Sequence, residues 1–179
     1  MSINKIVIID YKMGNLRSVQ KAFEKVGNYA IISNDIKVIQ GADKIVLPGV
    51  GAFKDGMKHL KELNLIEILN REVVENKKPF LGVCLGMQLL AKKSFENGET
   101  DGLGWVDGEV LKFDFNVISK NLKVPHVGWN NVAFERRNIL FKDDRTLIDL
   151  NFEQRAFIDY MFGLDSVECF GHSKSSFSN

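Results

Sequence analysis

One of the two cysteines, Cys84, lies between two glycines in the segment Gly82-Val83-Cys84-Leu85-Gly86. An apolar run leads into this segment and an amphipathic run leads out, which predicts a strand that turns directly into a helix at the cysteine. Glycines suit such a turn because neighbouring side chains would clash there. A thiol at a helix N-terminus ionises more easily, and the free N–H groups of the turn can hold an oxyanion. The pattern favours a nucleophile, and the spacing leaves a buried, inert core cysteine as the alternative.

A second glycine-rich turn, Gly49-Val50-Gly51, ends a neighbouring apolar run. Sites in open α/β sheets form at the carboxyl ends of the strands, so we expect this loop to approach Cys84. Its glycines would let backbone N–H groups face a substrate oxygen. An ordinary glycine turn is one alternative. A dinucleotide-binding loop is disfavoured, because a third glycine at the required spacing is missing.

Strands and helices alternate around these turns. Apolar, β-branched runs predict strands near residues 5–10, 29–33, 43–48 and 79–83. Apolar residues at helical spacing predict helices over about 16–26, 53–62, 65–75 and 85–94, and Asn15 can cap the first of them. This order predicts a parallel sheet covered on both faces. After residue 102, glycine and asparagine interrupt shorter runs, which predicts antiparallel strands.

The composition limits the classes of function. The chain has 179 residues, 45% of them hydrophobic, and its 24 basic and 23 acidic residues leave a net charge of +1. This balance gives no reason to expect nucleic acid or an anionic membrane as a partner. Apolar runs stay below the ~18 residues of a membrane span. Two cysteines without metal-type spacing predict no disulfide framework and no metal, and we expect a cytoplasmic protein.

Five segments, in order, resemble the class I (triad) glutamine amidotransferases. KPFLGVCLGMQLL resembles their nucleophile segment, and IIDYKMGNLRSV, LPGVGAF, GLGWVDGEV and VPHVGWNNV resemble one branch, the glutaminase subunits of imidazole glycerol phosphate synthase. The resemblance covers about residues 4–142. It implies a flavodoxin-like, three-layer α/β domain that hydrolyses glutamine without a cofactor. The ammonia would pass to a cyclase subunit, a TIM barrel, for histidine biosynthesis.

The resemblance also implies roles for individual residues. Cys84 would be the nucleophile that forms a glutamyl thioester. The residues matched to substrate binding and the oxyanion hole are Gly49, Gly51, Leu85 and Gln88. Those matched to the surface that faces the cyclase are Asp10, Asn15, His126 and Trp129. Lys12 departs from the family, which usually has glycine there.

The resemblance stops at about residue 142. The family takes its general base and the group that orients it from a His-Pro-Glu segment, which this sequence lacks, and Lys174 stands two residues beyond His172. We therefore divide the chain into a domain, 1–142, and a divergent tail, 143–179. A shifted reading frame or truncation would explain the tail, and so would a degenerate glutaminase. As written, the chain is expected to hydrolyse glutamine poorly even with its partner.

Two other functions stay open at this point. The chain could be a paralogue that supplies ammonia to a sugar-amidating or other synthase, because the cysteine loop serves any acceptor. It could also be a non-catalytic module that docks on the cyclase, which the missing His-Pro-Glu segment favours.

Overall fold

The parallel sheet is present where the sequence predicts it. The computed structural model describes residues 5–111, 130–132 and 148–150. Strands β1 (Ile6–Ile9), β2 (Ala30–Ser33), β3 (Lys44–Gly49) and β4 (Phe80–Cys84) are all parallel, in the order β2-β1-β3-β4. Within these described ranges, no helix has the length and apolar character needed to cross a membrane.

The sheet is covered by helices on both faces. Ile6 and Ile8 of β1 pack in one core with the apolar side of α1 (Leu16–Lys25). The alternate residues of the strand, Val7 and Ile9, pack in a second core with α2 (Ile36–Gln40), α3 (Phe53–Glu62) and α4 (Leu65–Leu69). The period of two in a strand thus produces the three layers, and the predicted fold class is confirmed.

The helix predicted over 65–75 forms in two parts, α4 and a π-helical segment, Asn70–Glu75. An ion pair between the half-buried Lys78 and the buried Glu72 holds the π-helical segment to its surroundings. Lys78 Nζ lies 2.7 Å from Glu72 Oε2 and donates to the Gln40 carbonyl oxygen at 2.6 Å. The hydrogen bond from Lys78 holds the pKa of Glu72 below its ordinary value. Lys78 therefore ties the π-helical segment to the end of α2 at the point where β4 begins.

The helix predicted over 85–94 is wrong beyond its first turn. Helix α5 covers Leu85–Gln88, and the chain then forms strand β5 (Ala91–Ser94). β5 pairs antiparallel with β6 (Thr100–Asp101) and parallel with β7 (Val106–Val110). The backbone of 91–94 makes these non-local hydrogen bonds instead of helical ones, and tertiary pairing outweighs the local helical spacing.

The expectation of antiparallel strands after residue 102 is met in part. β7 contradicts it, because β7 runs parallel to β5. Farther along, β8 (Asn130–Val132) pairs antiparallel with β9 (Ile148–Leu150). This pairing agrees with the antiparallel strands expected there.

Candidate active site

Cys84 stands at the junction between β4 and α5. It is the last residue of the strand and the one that precedes the first turn of the helix. Its backbone has φ 53° and ψ −118°, a region that residues other than glycine rarely occupy. Such torsions cost about 1–3 kcal/mol and cluster at functional sites. With its half-buried side chain, Cys84 has the sharp turn that the sequence predicts for a nucleophile.

The glycines on either side of Cys84 are required by close packing. A Cβ atom on Gly82 would lie 2.8 Å from the Cα of Met87. On Gly86 it would lie 1.7 Å from the carbonyl oxygen of Leu47. α5 therefore folds back over its own strand and lies directly against β3. A side chain at either glycine would push the helix, and the cysteine with it, out of place.

Strand β3 brings the second glycine turn beside Cys84. The register of the sheet pairs Gly49 with Cys84. Gly51 has φ +110°, which side-chain-bearing residues rarely adopt, so the turn needs glycine there. A Cβ on Gly51 would lie 3.0 Å from Met13 Cε, and one on Gly14 would lie 3.3 Å from the Cα of Gly49. The loop of residues 10–15, the β1–α1 loop, thus packs on the β3–α3 loop at the carboxyl edge of the sheet.

The two other predicted substrate-binding residues belong to α5. Leu85 is its first residue, with a buried side chain, and its N–H is among the first four of the helix, which have no acceptor within the helix. Gln88 is half-buried and ends the helix one turn beyond Cys84. Because α5 is a single turn, its effect on a thiolate would come from these local N–H groups rather than from a long helix dipole. The oxyanion and substrate roles stay predictions.

Two of the four predicted partner-facing residues lie in the β1–α1 loop. Asp10 Oδ1 accepts the N–H of Lys12 at 3.1 Å, and Asn15 Oδ1 accepts the N–H of Ser18 at 3.3 Å, which caps α1 as predicted. Lys12 itself has φ 67°, a torsion that glycine would adopt without strain. The other calls, on His126, Trp129, His172 and most of the tail, fall outside the described residues.

The sequence reasoning missed Tyr11. Tyr11 is fully buried, and its hydroxyl oxygen lies 2.0 Å from where a Cβ on Gly49 would be. In the part of the chain that the structure describes, this hydroxyl has no hydrogen-bond partner. Burial, and secondly the charge of Cys84, raises the pKa of Tyr11 well above its ordinary value. A signal existed: with the period of two of a strand, Tyr11 continues the face of β1 that carries Val7 and Ile9, so a phenol is expected just beyond the end of a buried strand.

In the described ranges, no cluster of three or more His, Cys, Asp or Glu residues could hold a metal ion. Cys84 and its neighbours offer the chemistry of a strained thiol beside the first N–H groups of a helix, at the end of a parallel sheet.

Comparison with known proteins gives a consistent result. Residues 7–172 match the family described as "Glutamine amidotransferase class-I", past residue 142, where the motif resemblance stops. The chain is 46% identical over 153 residues to imidazole glycerol phosphate synthase subunit HisH 1 of Campylobacter jejuni, covering 86% of this chain and 75% of that protein. It is 52% identical over 135 residues to subunit HisH of Aquifex aeolicus, covering 75% of this chain and 62% of that protein. The chain thus spans less than two thirds of the Aquifex subunit.

A solved structure supports the fold. A protein described as "Crystal structure of glutamine amidotransferase" aligns with a TM-score of 0.55 and 21% sequence identity, over 70% of this chain and 62% of that one. At this identity the likeness concerns the fold alone. It agrees with the parallel sheet and the helices on its two faces.

Proposed function

The chain belongs to the class I glutamine amidotransferase family, and we propose that it is the glutaminase subunit of an imidazole glycerol phosphate synthase. The similarity to HisH subunits over three quarters or more of the chain supports this branch. In that role the chain hydrolyses glutamine to glutamate and ammonia. It passes the ammonia to a TIM-barrel cyclase subunit, with which it forms a cytoplasmic heterodimer for histidine biosynthesis.

The observation that carries the proposal is the position of Cys84, a strained residue between a strand end and a helix start, paired in register with Gly49. In the reaction, the Cys84 thiolate attacks the side-chain amide carbon of glutamine. A C–S bond forms, and the carbonyl π electrons move to the oxygen. Backbone N–H groups at Leu85 and near Gly51 hold that oxyanion until it collapses. The C–N bond breaks, ammonia leaves with an added proton, and water hydrolyses the thioester to glutamate and the free thiol.

The proton transfers need a base, and its position limits the expected rate. The histidine among the described residues, His59, stands six residues into α3, which places it about 9 Å along the helix from the carboxyl edge of the sheet. We therefore assign it no role at Cys84. Lys174, two residues beyond His172, disfavours an imidazolium at His172, so we assign His172 no catalytic role either. General acid–base help is typically worth ~10²–10⁴ in rate, so we expect slow turnover.

A second function is favoured by the missing His-Pro-Glu segment, namely a non-catalytic module that binds the cyclase. The two functions are separated by measuring steady-state glutamate release from glutamine by the purified chain with the cyclase subunit of its own organism. Cys84→Ala is the matched control, and formation of the complex is measured in parallel.

If the chain releases glutamate slowly and Cys84→Ala abolishes this release, the result supports the proposed glutaminase function. A complex that forms normally but releases no more glutamate than Cys84→Ala identifies a binding module. If no complex forms with the cyclase, the chain serves another synthase. A rate within about tenfold of the ~10 s⁻¹ typical of enzymes would overturn the expectation of slow turnover.

A further inference from the structure

The hydroxyl of Tyr11 is a buried polar group that lacks a hydrogen-bond partner among the described residues, although the side chain is 0% exposed. Buried tyrosines usually find a partner for this group. An exception in a well-packed core calls for a physical explanation, and one explanation is a role in another state of the site.

The hydroxyl lies where the turn of Cys84 meets β3. The position of the missing Gly49 side chain is 2.0 Å from the Tyr11 oxygen, 3.0 Å from Leu85 Cβ and 3.2 Å from the N atom of Gly86. Gly49 is also the residue that pairs with Cys84 in the sheet. The phenol oxygen, the first turn of α5 and the end of β4 therefore surround the same glycine.

Among the described residues, Cys84 is the ionisable group whose charge acts on Tyr11. β4 carries no other ionisable side chain, and α5 carries none. The other neighbouring elements carry their charged residues at the far end of β3, on the exposed side of α3 or in the β1–α1 loop, and α3 also carries the half-buried His59. The charged residues are Lys44, Lys54, Asp55, Lys58, Lys61, Glu62, Asp10 and Lys12. Because burial first and Cys84 second raise the pKa of Tyr11, the phenol keeps its proton at pH values where a thiol ionises.

We propose that Tyr11 is a positioning residue for Cys84, with its O–H group directed to the edge shared by Gly49 and Cys84, where it stabilises the negative charge of the thiolate. The proton stays on the phenol throughout, and no bond to Tyr11 forms or breaks. In the resting state the hydroxyl lacks a partner, because the anion that it serves has not formed. The inference rests on the proposed role of Cys84 as the nucleophile, and it adds a side-chain donor to the backbone N–H groups of a one-turn helix.

The test is the pH dependence of Cys84 alkylation by iodoacetamide in the full chain, between about pH 5 and pH 10. The Cys169→Ser background makes Cys84 the sole thiol. Tyr11→Phe, which removes the oxygen alone, is expected to raise the midpoint of the alkylation curve by about one pH unit, so that the reaction slows about tenfold below both midpoints. The thermal midpoint of unfolding is expected to stay the same or rise, since a buried, unpaired hydroxyl is removed. Tyr29→Phe is the matched control, because Tyr29 is 63% exposed, and it should change neither quantity.

A second measurement does not depend on how Tyr11→Phe folds. Replacing the tyrosines by 3-fluorotyrosine keeps the shape and makes the phenol a stronger donor, which should lower the alkylation midpoint. An unchanged midpoint in the Tyr11→Phe or the fluorinated chain overturns the proposal. So does a fall of more than about 5 °C in the thermal midpoint of Tyr11→Phe, because the hydroxyl would then be paired in the resting state. The readout needs neither glutamine nor the cyclase, so a chain without glutaminase activity can still show the shift.

Discussion

Replacing Gly86 by alanine is expected to displace α5 from β3 and to lower the free energy of unfolding by about 3 kcal/mol or more. The new methyl group would lie 1.7 Å from the carbonyl oxygen of Leu47 and 2.6 Å from its carbonyl carbon, whereas Cβ contacts below 3.0 Å essentially do not occur. Both atoms belong to the backbone of β3, which lies between β1 and β4. No rotamer change can relieve this contact, so the first turn of α5 has to move.

The magnitude follows from what the movement disrupts. Adding a methyl group to a packed core typically costs ~1–3 kcal/mol when side chains can adjust. Here the shift also separates Leu85 and Leu89, 1% and 0% exposed, from the core. The better helix propensity of alanine returns at most ~1 kcal/mol. The same displacement, of roughly 1 Å, moves Cys84 relative to Gly49, which can lower a reaction rate about 100-fold.

The assay is urea unfolding followed by tryptophan fluorescence, with Gly41→Ala as the matched control. Gly41 ends α2 with φ −82°, and a Cβ there would lie 3.3 Å from the flexible end of Lys5 and 3.4 Å from the nearest backbone atom. We expect that control to change the free energy of unfolding by less than about 1 kcal/mol. If Gly86→Ala costs as little as the control, α5 does not approach β3 as closely as described, and the reasoning is refuted.

Two further substitutions test the strain and the charges around the sheet. Lys12→Gly should stabilise the chain by about 0.5–1 kcal/mol, because glycine adopts φ 67° without steric cost, and a thermal midpoint that stays the same or falls would contradict this. Lys78→Met should destabilise it by about 3 kcal/mol at pH 7, because the Glu72 carboxylate, which is 5% exposed, loses its closest cation. Since the pKa of Glu72 lies below its ordinary 4.5, this stabilisation is present above that pH and is lost as the pH falls through the lowered value. Urea unfolding at pH 7 and pH 3 should therefore show a smaller difference in the free energy of unfolding between the unsubstituted chain and Lys78→Met at pH 3. If the difference is the same at both pH values, the lost stability does not come from the pair of Lys78 with Glu72.

The first half of the chain could be predicted from the sequence because its signals are local. Each of the four parallel strands is an apolar run of four to six residues that ends at a turn. The turn at Cys84 could be predicted for the same reason, since the glycines that permit it are two residues away on each side. α2 was missed because it is one short turn, although Asp35 accepts the N–H groups of Lys37 and Val38 as a helix cap does.

The strand after α5 could not be predicted in the same way. Residues 85–94 have helical spacing, and the partners that make β5 a strand lie outside that spacing: Asp101 pairs with Lys93, eight residues before it, and Val106 pairs with Ala91, fifteen residues before it. Tyr11 is a similar case, since its place depends on Gly49, which is 38 residues away in the sequence and adjacent in the sheet. The resemblance to the family placed Gly49 among the substrate-binding residues. The structure adds that the absence of a side chain there leaves room for a phenol oxygen.

The glycines around Cys84 therefore differ in what they do. Gly51 is needed for its backbone torsion, whereas Gly49, Gly82 and Gly86 are needed because a tyrosine oxygen or a neighbouring backbone occupies the space of a side chain. Cys84, at φ 53°, is held in a strained conformation by backbone packed against backbone on two sides. Such contacts cannot relax through a rotamer change. On the proposed function, removing the side chain of Gln88 should weaken glutamine binding and leave the turn intact. A single methyl group at Gly82 or Gly86 meets backbone and displaces the nucleophile itself, whereas one at Gly49 first meets the Tyr11 side chain.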